Sequence, residues 1–261
     1  MNFNLEGKNA LVGGSSKGIG KASAIALAEL GANVTLVSRS PEIMAAILAQ
    51  LPRKGTQDHD FLQADFTNVP DLRKKIHTLV AAKPIHILVN NTGGPPAGPI
   101  TTATADEFLQ AFNNHLICNH LITQAVIPGM RAAGYGRIIN IISTSVKAPL
   151  DGLGVSNTVR AAVANWAKTL SNELGPDGIT VNNVLPGFTL TERLDEIIEG
   201  EMRKTGKTRA EVVSRMEAGV PLRRFAEPGE VAAAVAFLAS PAAAYITGIN
   251  VPVDGGRTKN L

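Results

Sequence analysis

The sequence is poor in cysteine and has no long apolar run. Cys118 is its single cysteine among 261 residues, so no disulfide can form within the chain. No Cys-x-x-Cys pair or cysteine–histidine cluster has the spacing of a metal site. A membrane-spanning helix needs about 18 or more consecutive apolar residues, which the sequence lacks, and its N-terminus does not have the pattern of a signal peptide. We therefore expect a soluble, cytoplasmic protein without a bound metal.

The sequence also lacks a concentrated charge of either sign. It has 25 basic and 22 acidic residues, for a net charge of +3, and the basic residues are scattered apart from pairs such as Lys74–Lys75. A nucleic-acid interface needs basic residues gathered on one face, so we expect no nucleic-acid partner and no membrane partner. With 44% hydrophobic and 18% charged residues, the chain is able to bury a sizeable core.

Short apolar runs alternate with longer helical patterns along the chain. The predicted strands are residues 9–14, 33–38, 60–65, 85–91, 137–143, 179–186 and 249–254, and the predicted helices are 18–30, 41–51, 68–82, 104–132, 155–174 and 227–239. Several strands are almost continuously apolar, which is typical of parallel strands covered on both faces. The pattern predicts an α/β fold, a single Rossmann-type domain over 1–261. Its doubly wound parallel sheet should have about seven strands, with helices on both faces.

One segment departs from this alternation. Residues 189–222 are charged, helical in pattern and inserted between a predicted strand and a predicted helix. An insertion at the carboxyl end of a strand often covers a ligand site. We therefore interpret 189–222 as a helical substrate lid.

A glycine-rich segment joins the first predicted strand to the first predicted helix. It reads GGSSKGIG over residues 13–20. Glycines let the backbone turn tightly and approach a pyrophosphate, and the helix N-terminus supplies unpaired N–H groups. In a strand–turn–helix context such a segment predicts a dinucleotide site rather than an ordinary turn.

The second predicted strand ends at Ser38-Arg39, and the next acidic residue is Glu42. An acidic residue at this place would bind a ribose 2′-hydroxyl, whereas an arginine accommodates a 2′-phosphate. Lys17 adds a second cation. These residues predict NADP(H) rather than NAD(H), against the alternative that Arg39 is only a solvated surface residue.

Several further motifs follow in order. They are Asp65 after strand three, VNNTGG, GRIINIIS, ITVNNVLPGFTLT, PLRRFAEPGEVAAAVAFLAS and YITGINVPVDGG. With the G-x3-G-x-G spacing they resemble the classical short-chain dehydrogenase/reductase family, in particular its 3-oxoacyl-ACP reductase-like members. The resemblance is collinear over essentially the whole chain.

The resemblance implies a cofactor site for NADP(H). Its residues would be Gly14, Ser15, Ser16, Lys17 and Ile19 at the pyrophosphate; Ser38 and Arg39 at the adenosine ribose and 2′-phosphate; Asp65 and Phe66 at the adenine; Asn91, Gly93 and Arg160 near the nicotinamide ribose; and Pro186, Gly187, Thr189 and Thr191 at the carboxamide. Gly13 and Thr92 stand where the family usually has threonine and alanine. Both residues are small, so we interpret them as packing variants.

The catalytic positions depart from the family pattern of Asn, Ser, Tyr and Lys. The serine position is Ser143, but the tyrosine and lysine positions are Ser156 and Arg160. The two tyrosines of the chain, Tyr135 and Tyr245, lie elsewhere. Residues four apart share a helix face, so we expect Ser156 and Arg160 to point into the same site.

The departures change the chemistry that is available. A serine hydroxyl is a far poorer acid than tyrosine, so Ser156 can hydrogen-bond a substrate oxygen but hardly protonate it unaided. Arg160 is not an acid, yet its planar fork suits ribose hydroxyls and its charge favours a nearby oxyanion.

The family's asparagine position is His115. Its ordinary pKa of about 6.5 suits proton transfer. The helix face that it shares with Phe108, Phe112 and Ile122 instead favours a buried histidine without a catalytic role.

Two functions follow from these observations. The first is an NADP(H)-dependent oxidoreductase that transfers a hydride to or from a small carbonyl, alcohol or imine, with Ser143, Ser156, Arg160 and His115 as a non-standard catalytic set. The alternative is a catalytically inactive member that binds NADP(H) as a sensor or structural subunit. The substrate pocket would be lined by 93–100, 144–155 and the lid. Family members imply a homo-oligomer, a tetramer or a dimer.

Overall fold

The computed structural model describes residues 1–260, and in that range seven strands form one sheet. All neighbouring strands are parallel, in the order β3-β2-β1-β4-β5-β6-β7. The strands are β1 (Asn9–Gly13), β2 (Asn33–Ser38), β3 (Asp60–Gln63), β4 (Ile87–Asn90), β5 (Gly136–Ile141), β6 (Ile179–Pro186) and β7 (Asn250–Val253). The α/β, Rossmann-type fold with a doubly wound parallel sheet is therefore confirmed.

Helices connect the strands and cover the sheet. They are α1 (Gly18–Glu29), α2 (Pro41–Leu48), α3 (Val69–Ala82), α4 (Ala105–Phe112), α5 (Cys118–Ala133), α6 (Gly154–Leu174), α7 (Glu192–Thr205), α8 (Arg209–Ala218) and α9 (Pro228–Ala239). Side chains alternate between faces along each strand, so Val12 packs in the layer of α1, α2 and α9, and Leu11 packs with α3, α5 and α6. Each such residue, fully buried, contributes about 1.5–3 kcal/mol to stability.

The helix predicted over 104–132 is confirmed as a helical segment over Ala105–Ala133, but it is not α-helical throughout. A π-helical turn, Asn113–Ile117, separates α4 from α5. A π turn accommodates one extra residue in a helix. The apolar composition of the segment does not change, so the helical pattern of the sequence does not reveal the turn. Such turns are frequent at functional sites, and this one contains His115.

The inserted segment forms α7 and α8. Leu194 and Ile198 of α7 pack against Val212 of α8 and against Phe225 in a small apolar cluster. The insertion thus has a core of its own beside the carboxyl edge of the sheet. Its role as a lid stays a prediction.

A ladder of asparagine side chains crosses four strands near that edge. Asn90 donates to Asn140 (2.9 Å), Asn140 donates to Asn183 (2.9 Å) and Asn183 donates to Asn250 (2.8 Å). The four residues are register partners on β4, β5, β6 and β7. A one-residue slip would break these bonds, two of which are buried, so the ladder fixes the strand ends that carry the site.

Candidate active site

The glycines of the turn between β1 and α1 stand at positions where a side chain would not fit. Gly14 and Gly18 have φ of +57° and +54°, a region that favours glycine. A β-carbon on Gly20 would lie 2.2 Å from the carbonyl oxygen of Gly14. The backbone therefore approaches itself closely and forms a shallow cradle at the start of α1.

The α1 N-terminus is free to bind an anion. Lys17 occupies the N-cap position, and its side chain makes no capping hydrogen bond, so the first N–H groups of the helix remain available. The predicted residues Ser16 and Ile19 line the turn and are partly exposed. Ser15 is fully buried, and its Oγ accepts from the N–H of Val37 on β2 at 2.9 Å. The Ser15 side chain thus holds the turn against β2.

The turn also contacts the inserted segment. The exposed Lys17 ammonium forms an ion pair with the Glu192 carboxylate at the start of α7. A β-carbon on Gly18 would lie 3.0 Å from the methyl group of Thr191. The first residues of the insertion therefore lie directly over the cradle.

The ends of β2 and β3 hold the residues predicted for the adenosine end of a cofactor. Ser38 is buried, and Arg39 is exposed. Asp65 accepts hydrogen bonds from the Thr67 N–H (2.9 Å) and hydroxyl (2.8 Å). The bond from the Thr67 backbone, its hydroxyl and the charge of Arg39 hold the pKa of Asp65 below its usual value. Phe66 is partly buried beside it.

Asn91 follows β4 and fixes the glycine-rich turn. Its Nδ2 donates to the carbonyl oxygens of Gly13 (3.1 Å) and Gly14 (3.4 Å). A β-carbon on Gly13 would lie 2.9 Å from the Asn91 carbonyl oxygen, so a threonine at this position would require the backbone to shift. The nearby Gly93 is exposed.

Thr92 and His115 form a hydrogen-bonded pair. The Thr92 hydroxyl lies 2.5 Å from Nδ1 of His115, which is 4% exposed. Burial, with the charge of Arg160, lowers the pKa of His115 to about 3, so its imidazole is neutral near pH 7. The interpretation of Thr92 as a packing variant is therefore incomplete, because its hydroxyl is the partner of His115.

The Arg160 guanidinium is held by the end of β5 and by its own helix. Its Nη1 donates to the carbonyl oxygens of Ile142 (2.9 Å) and Ile141 (3.3 Å), and its Nε donates to Oγ of Ser156 (3.2 Å). The two predicted residues therefore point into one site. Burial and the nearby Arg193 lower the pKa of Arg160 to about 10, so it remains a cation at neutral pH.

The two serines differ in what their hydroxyls are free to do. Ser156 is 7% exposed, and its oxygen accepts from Arg160, so its own proton is left for another acceptor. Ser143 is partly exposed, and its oxygen accepts from the N–H of Ser145 at 3.1 Å. Both hydroxyls retain a proton to donate at the end of β5 and the start of α6.

The end of β6 carries the remaining predicted cofactor residues. Pro186 ends the strand, and a β-carbon on Gly187 would lie 2.7 Å from the Cα of Asp254. The Thr189 hydroxyl donates to the carbonyl oxygen of Gly187 (3.3 Å), and the Thr191 hydroxyl donates to that of Thr189 (3.2 Å). These threonines shape the turn that leads into α7.

Sequence reasoning missed Arg193 in the first turn of α7. Its Nη2 donates to the carbonyl oxygen of Pro95 (2.9 Å), and its Nη1 pairs with Glu196 at 2.8 Å. A β-carbon on Gly94 would lie 3.3 Å from Nη2 of Arg160 and 3.8 Å from Nε of Arg193. The two guanidinium groups thus approach the same point. The sequence carried no signal for this, because the orientation of Arg193 depends on how α7 packs.

No helix within residues 1–260 is both long and apolar enough to cross a membrane.

The predicted site residues gather at the carboxyl ends of the parallel strands. This edge is where doubly wound sheets bind ligands, and a glycine-rich turn at the start of α1 is typical of dinucleotide-binding proteins. The polar cluster of Ser143, Ser156, Arg160 and His115 lies at the ends of β4 and β5, next to that turn. A dinucleotide site beside a polar cluster is typical of an oxidoreductase.

Comparisons with known proteins agree with this class. A family model described as enoyl-(acyl carrier protein) reductase matches residues 14–258. The chain is 36% identical over 257 residues to 3-oxoacyl-[acyl-carrier-protein] reductase FabG from Vibrio harveyi, covering 97% of this chain and 98% of that protein.

Solved structures agree as well. A short-chain dehydrogenase/reductase family protein is 32% identical with a TM-score of 0.82, over 98% of this chain and 100% of that one. L-sorbose reductase from Gluconobacter frateurii, complexed with NADPH and L-sorbose, is 29% identical with a TM-score of 0.92, and each chain is covered completely. The chain belongs to the short-chain dehydrogenase/reductase family, whose members are oxidoreductases that use a nicotinamide cofactor.

Proposed function

We propose that the protein is an NADP(H)-dependent oxidoreductase that transfers a hydride to or from the carbonyl or imine carbon of a small molecule. The observation that carries the proposal is the 3.2 Å hydrogen bond from Arg160 Nε to Ser156 Oγ. This bond orients a serine proton and a fixed positive charge toward one place, beside the strand ends where a dinucleotide binds.

The chain fits a dinucleotide at the glycine-rich turn. The cradle of Gly14, Gly18 and Gly20 would be filled by β-carbons, and the uncapped α1 N-terminus offers N–H groups to a pyrophosphate. Arg39, exposed after β2, supports a 2′-phosphate and hence NADP(H). The NADPH complex of L-sorbose reductase also supports this choice. The nicotinamide, when bound, supplies or takes up the hydride.

Ser156 and Arg160 stabilise the negative charge that grows on the substrate oxygen during reduction. The Ser156 oxygen already accepts from Arg160, so its hydroxyl proton is directed to the substrate oxygen. Arg160 remains charged and is fixed by two backbone carbonyls, so it does not need to reorganise as the charge develops. These residues act by stabilisation and not as strong acids.

His115 acts as a neutral group in this proposal. Its pKa of about 3 leaves no imidazolium to donate near pH 7. In the Thr92–His115 hydrogen bond, the hydroxyl and Nδ1 are each able to donate or to accept, depending on the tautomer of the imidazole. We assign the pair the role of relaying a solvent proton, with Ser143 as a second hydrogen-bond donor to the substrate.

The test is turnover of NADPH and NADH against a panel of carbonyls and imines, with the wild type and Arg39→Ala. We expect turnover with preference for NADPH, and loss of that preference in the variant. NADPH binding without turnover of any substrate would contradict the oxidoreductase assignment and favour the inactive cofactor-binding alternative. A preference for NADH that Arg39→Ala leaves intact would contradict the 2′-phosphate assignment.

We also propose that the protein forms a homo-oligomer and has no nucleic-acid or membrane partner. Apolar side chains on α4 support self-association, because Leu109 is 62% and Phe112 is 39% exposed. Sedimentation velocity with the wild type and Leu109→Ser tests this proposal. A wild type that sediments as a monomer would contradict it.

A further inference from the structure

Arg160 has donors that the protein leaves unused. Three of its N–H directions are taken by Ser156, Ile141 and Ile142, through Nε and Nη1. Within residues 1–260, Nη2 has no hydrogen-bond acceptor, and no carboxylate forms an ion pair with this guanidinium. A partly buried arginine without a counter-charge is costly to maintain, and a bound anion would relieve that cost.

Arg193 has a second unused donor near the same place. Its Nη1 and Nη2 are occupied by Glu196 and by the Pro95 carbonyl oxygen, which leaves Nε. Nε of Arg193 and Nη2 of Arg160 both lie within 4 Å of the position of the absent Gly94 β-carbon. Because both nitrogens lie within 4 Å of one position, they are close enough for a single carboxylate to bind both, with one oxygen on each nitrogen.

The charge at this point is not balanced by the protein. Arg193 forms an ion pair with Glu196 through Nη1. The Glu196 side chain is 63% exposed, so this ion pair lies at the solvent-exposed edge of the site. Arg160 has only neutral partners. The two arginines repel each other, because Arg193 is a cause of the lowered pKa of Arg160. A ligand with a negative charge restores the balance.

The position of Arg160 limits where that charge lies on the substrate. The same guanidinium bonds Ser156, the donor to the reacting oxygen, through Nε and presents Nη2 to the anion. A carbonyl oxygen at Ser156 and a carboxylate at Nη2 would therefore lie within the width of one guanidinium group. Such a spacing suits a carboxylate that is attached directly to the carbonyl carbon or one carbon away.

We propose, building on the oxidoreductase function above, that the substrate is a 2-oxo or 3-oxo acid whose carboxylate binds between Arg160 and Arg193. The cofactor is the other ligand for these donors, because Arg160 is also predicted to lie at the nicotinamide ribose and because Thr191 lies over the glycine-rich turn, where the pyrophosphate would bind. The binding of substrate and of NADPH must therefore be measured separately.

The experiment compares 2-oxobutanoate and acetoacetate with their methyl esters as substrates of the NADPH-loaded protein. Arg193→Gln removes the second guanidinium. Arg203→Gln, on the same helix with its side chain 73% exposed, is the matched control. We expect the wild type and the control to prefer the acids in kcat/KM. In Arg193→Gln that preference should fall about tenfold to a hundredfold, the range for a lost charge-assisted hydrogen bond, while NADPH affinity stays within about twofold.

Two results would overturn the proposal. One is a wild type that turns over acids and esters with equal kcat/KM. The other is an Arg193→Gln variant that loses NADPH affinity and keeps its acid preference, which would assign the arginine to the pyrophosphate. If no substrate is turned over, calorimetric titration of NADP⁺-saturated protein with 2-oxobutanoate and its methyl ester tests the anion site independently. Binding of the acid that is lost in Arg193→Gln supports the site, and equal or absent binding of both compounds contradicts it.

Discussion

His115, the buried histidine of the π turn, makes the free energy of unfolding depend on pH. The direction of that dependence follows from its lowered pKa. Burial and the charge of Arg160 lower the pKa of His115 from 6.5 to about 3. Between these values the unfolded chain binds a proton that the folded chain does not, so the free energy of unfolding falls as the pH is lowered. The stability that depends on a neutral His115 is fully present above pH 6.5 and is lost as the pH falls toward 3.

The size of this effect follows from the two pKa values. Below the unfolded pKa, stability falls by about 1.4 kcal/mol for each pH unit. At about pH 5 the wild type has therefore lost about 2 kcal/mol through His115 relative to pH 7. His115→Gln removes this titration and keeps a side chain able to hydrogen-bond Thr92, so the variant should lose about 2 kcal/mol less than the wild type over the same interval.

Urea unfolding at the two pH values, at one protein concentration, measures the prediction. Other titrating groups, such as the buried His86, contribute equally to wild type and variant and cancel in the difference. The exposed His77 provides the control, because His77→Gln should leave the difference between pH values as in the wild type. A difference between His115→Gln and wild type that is the same at both pH values would refute the assignment of His115 as a neutral buried group.

Two further predictions concern the cofactor cradle. Gly20→Ala places a β-carbon 2.2 Å from the Gly14 carbonyl oxygen, so NADPH affinity measured by fluorescence should fall at least tenfold. Gly200→Ala, where nothing lies within 4 Å, should bind as the wild type does, and equal affinities for the two variants would contradict the cradle. Glu192→Gln frees Lys17 from an exposed ion pair and removes a negative charge beside the turn. It should strengthen NADPH binding by no more than about fivefold, and weaker binding would contradict the placement of Lys17 at the phosphates.

Much of the fold followed from the sequence because parallel strands buried on both faces are continuously apolar. The bounds of β2 and β6 agree with the predicted 33–38 and 179–186. The asparagine ladder did not follow in the same way. Asparagines are visible in the predicted strands, but their pairing depends on the strand register, which sequence periodicity does not define. The π turn at Asn113–Ile117 was missed because composition is insensitive to one inserted residue.

The contacts of the candidate site were predictable where both residues lie on the same helix. Ser156 and Arg160 are four residues apart on one helix, and the structure brings them together as expected. Contacts between distant segments were not predictable, because they depend on tertiary packing. The pairing of Thr92 with His115 and the approach of Arg193 to Arg160 are both of this kind.

The most direct test of the proposed mechanism is the turnover number of Ser156→Ala with NADPH, measured beside its NADPH affinity. We expect kcat to fall about 100- to 1000-fold, the cost of one donor to a developing oxyanion, while NADPH binds as tightly as to the wild type. A variant that keeps the wild-type kcat would contradict the central claim that the Ser156 hydroxyl, oriented by Arg160, stabilises the reacting oxygen.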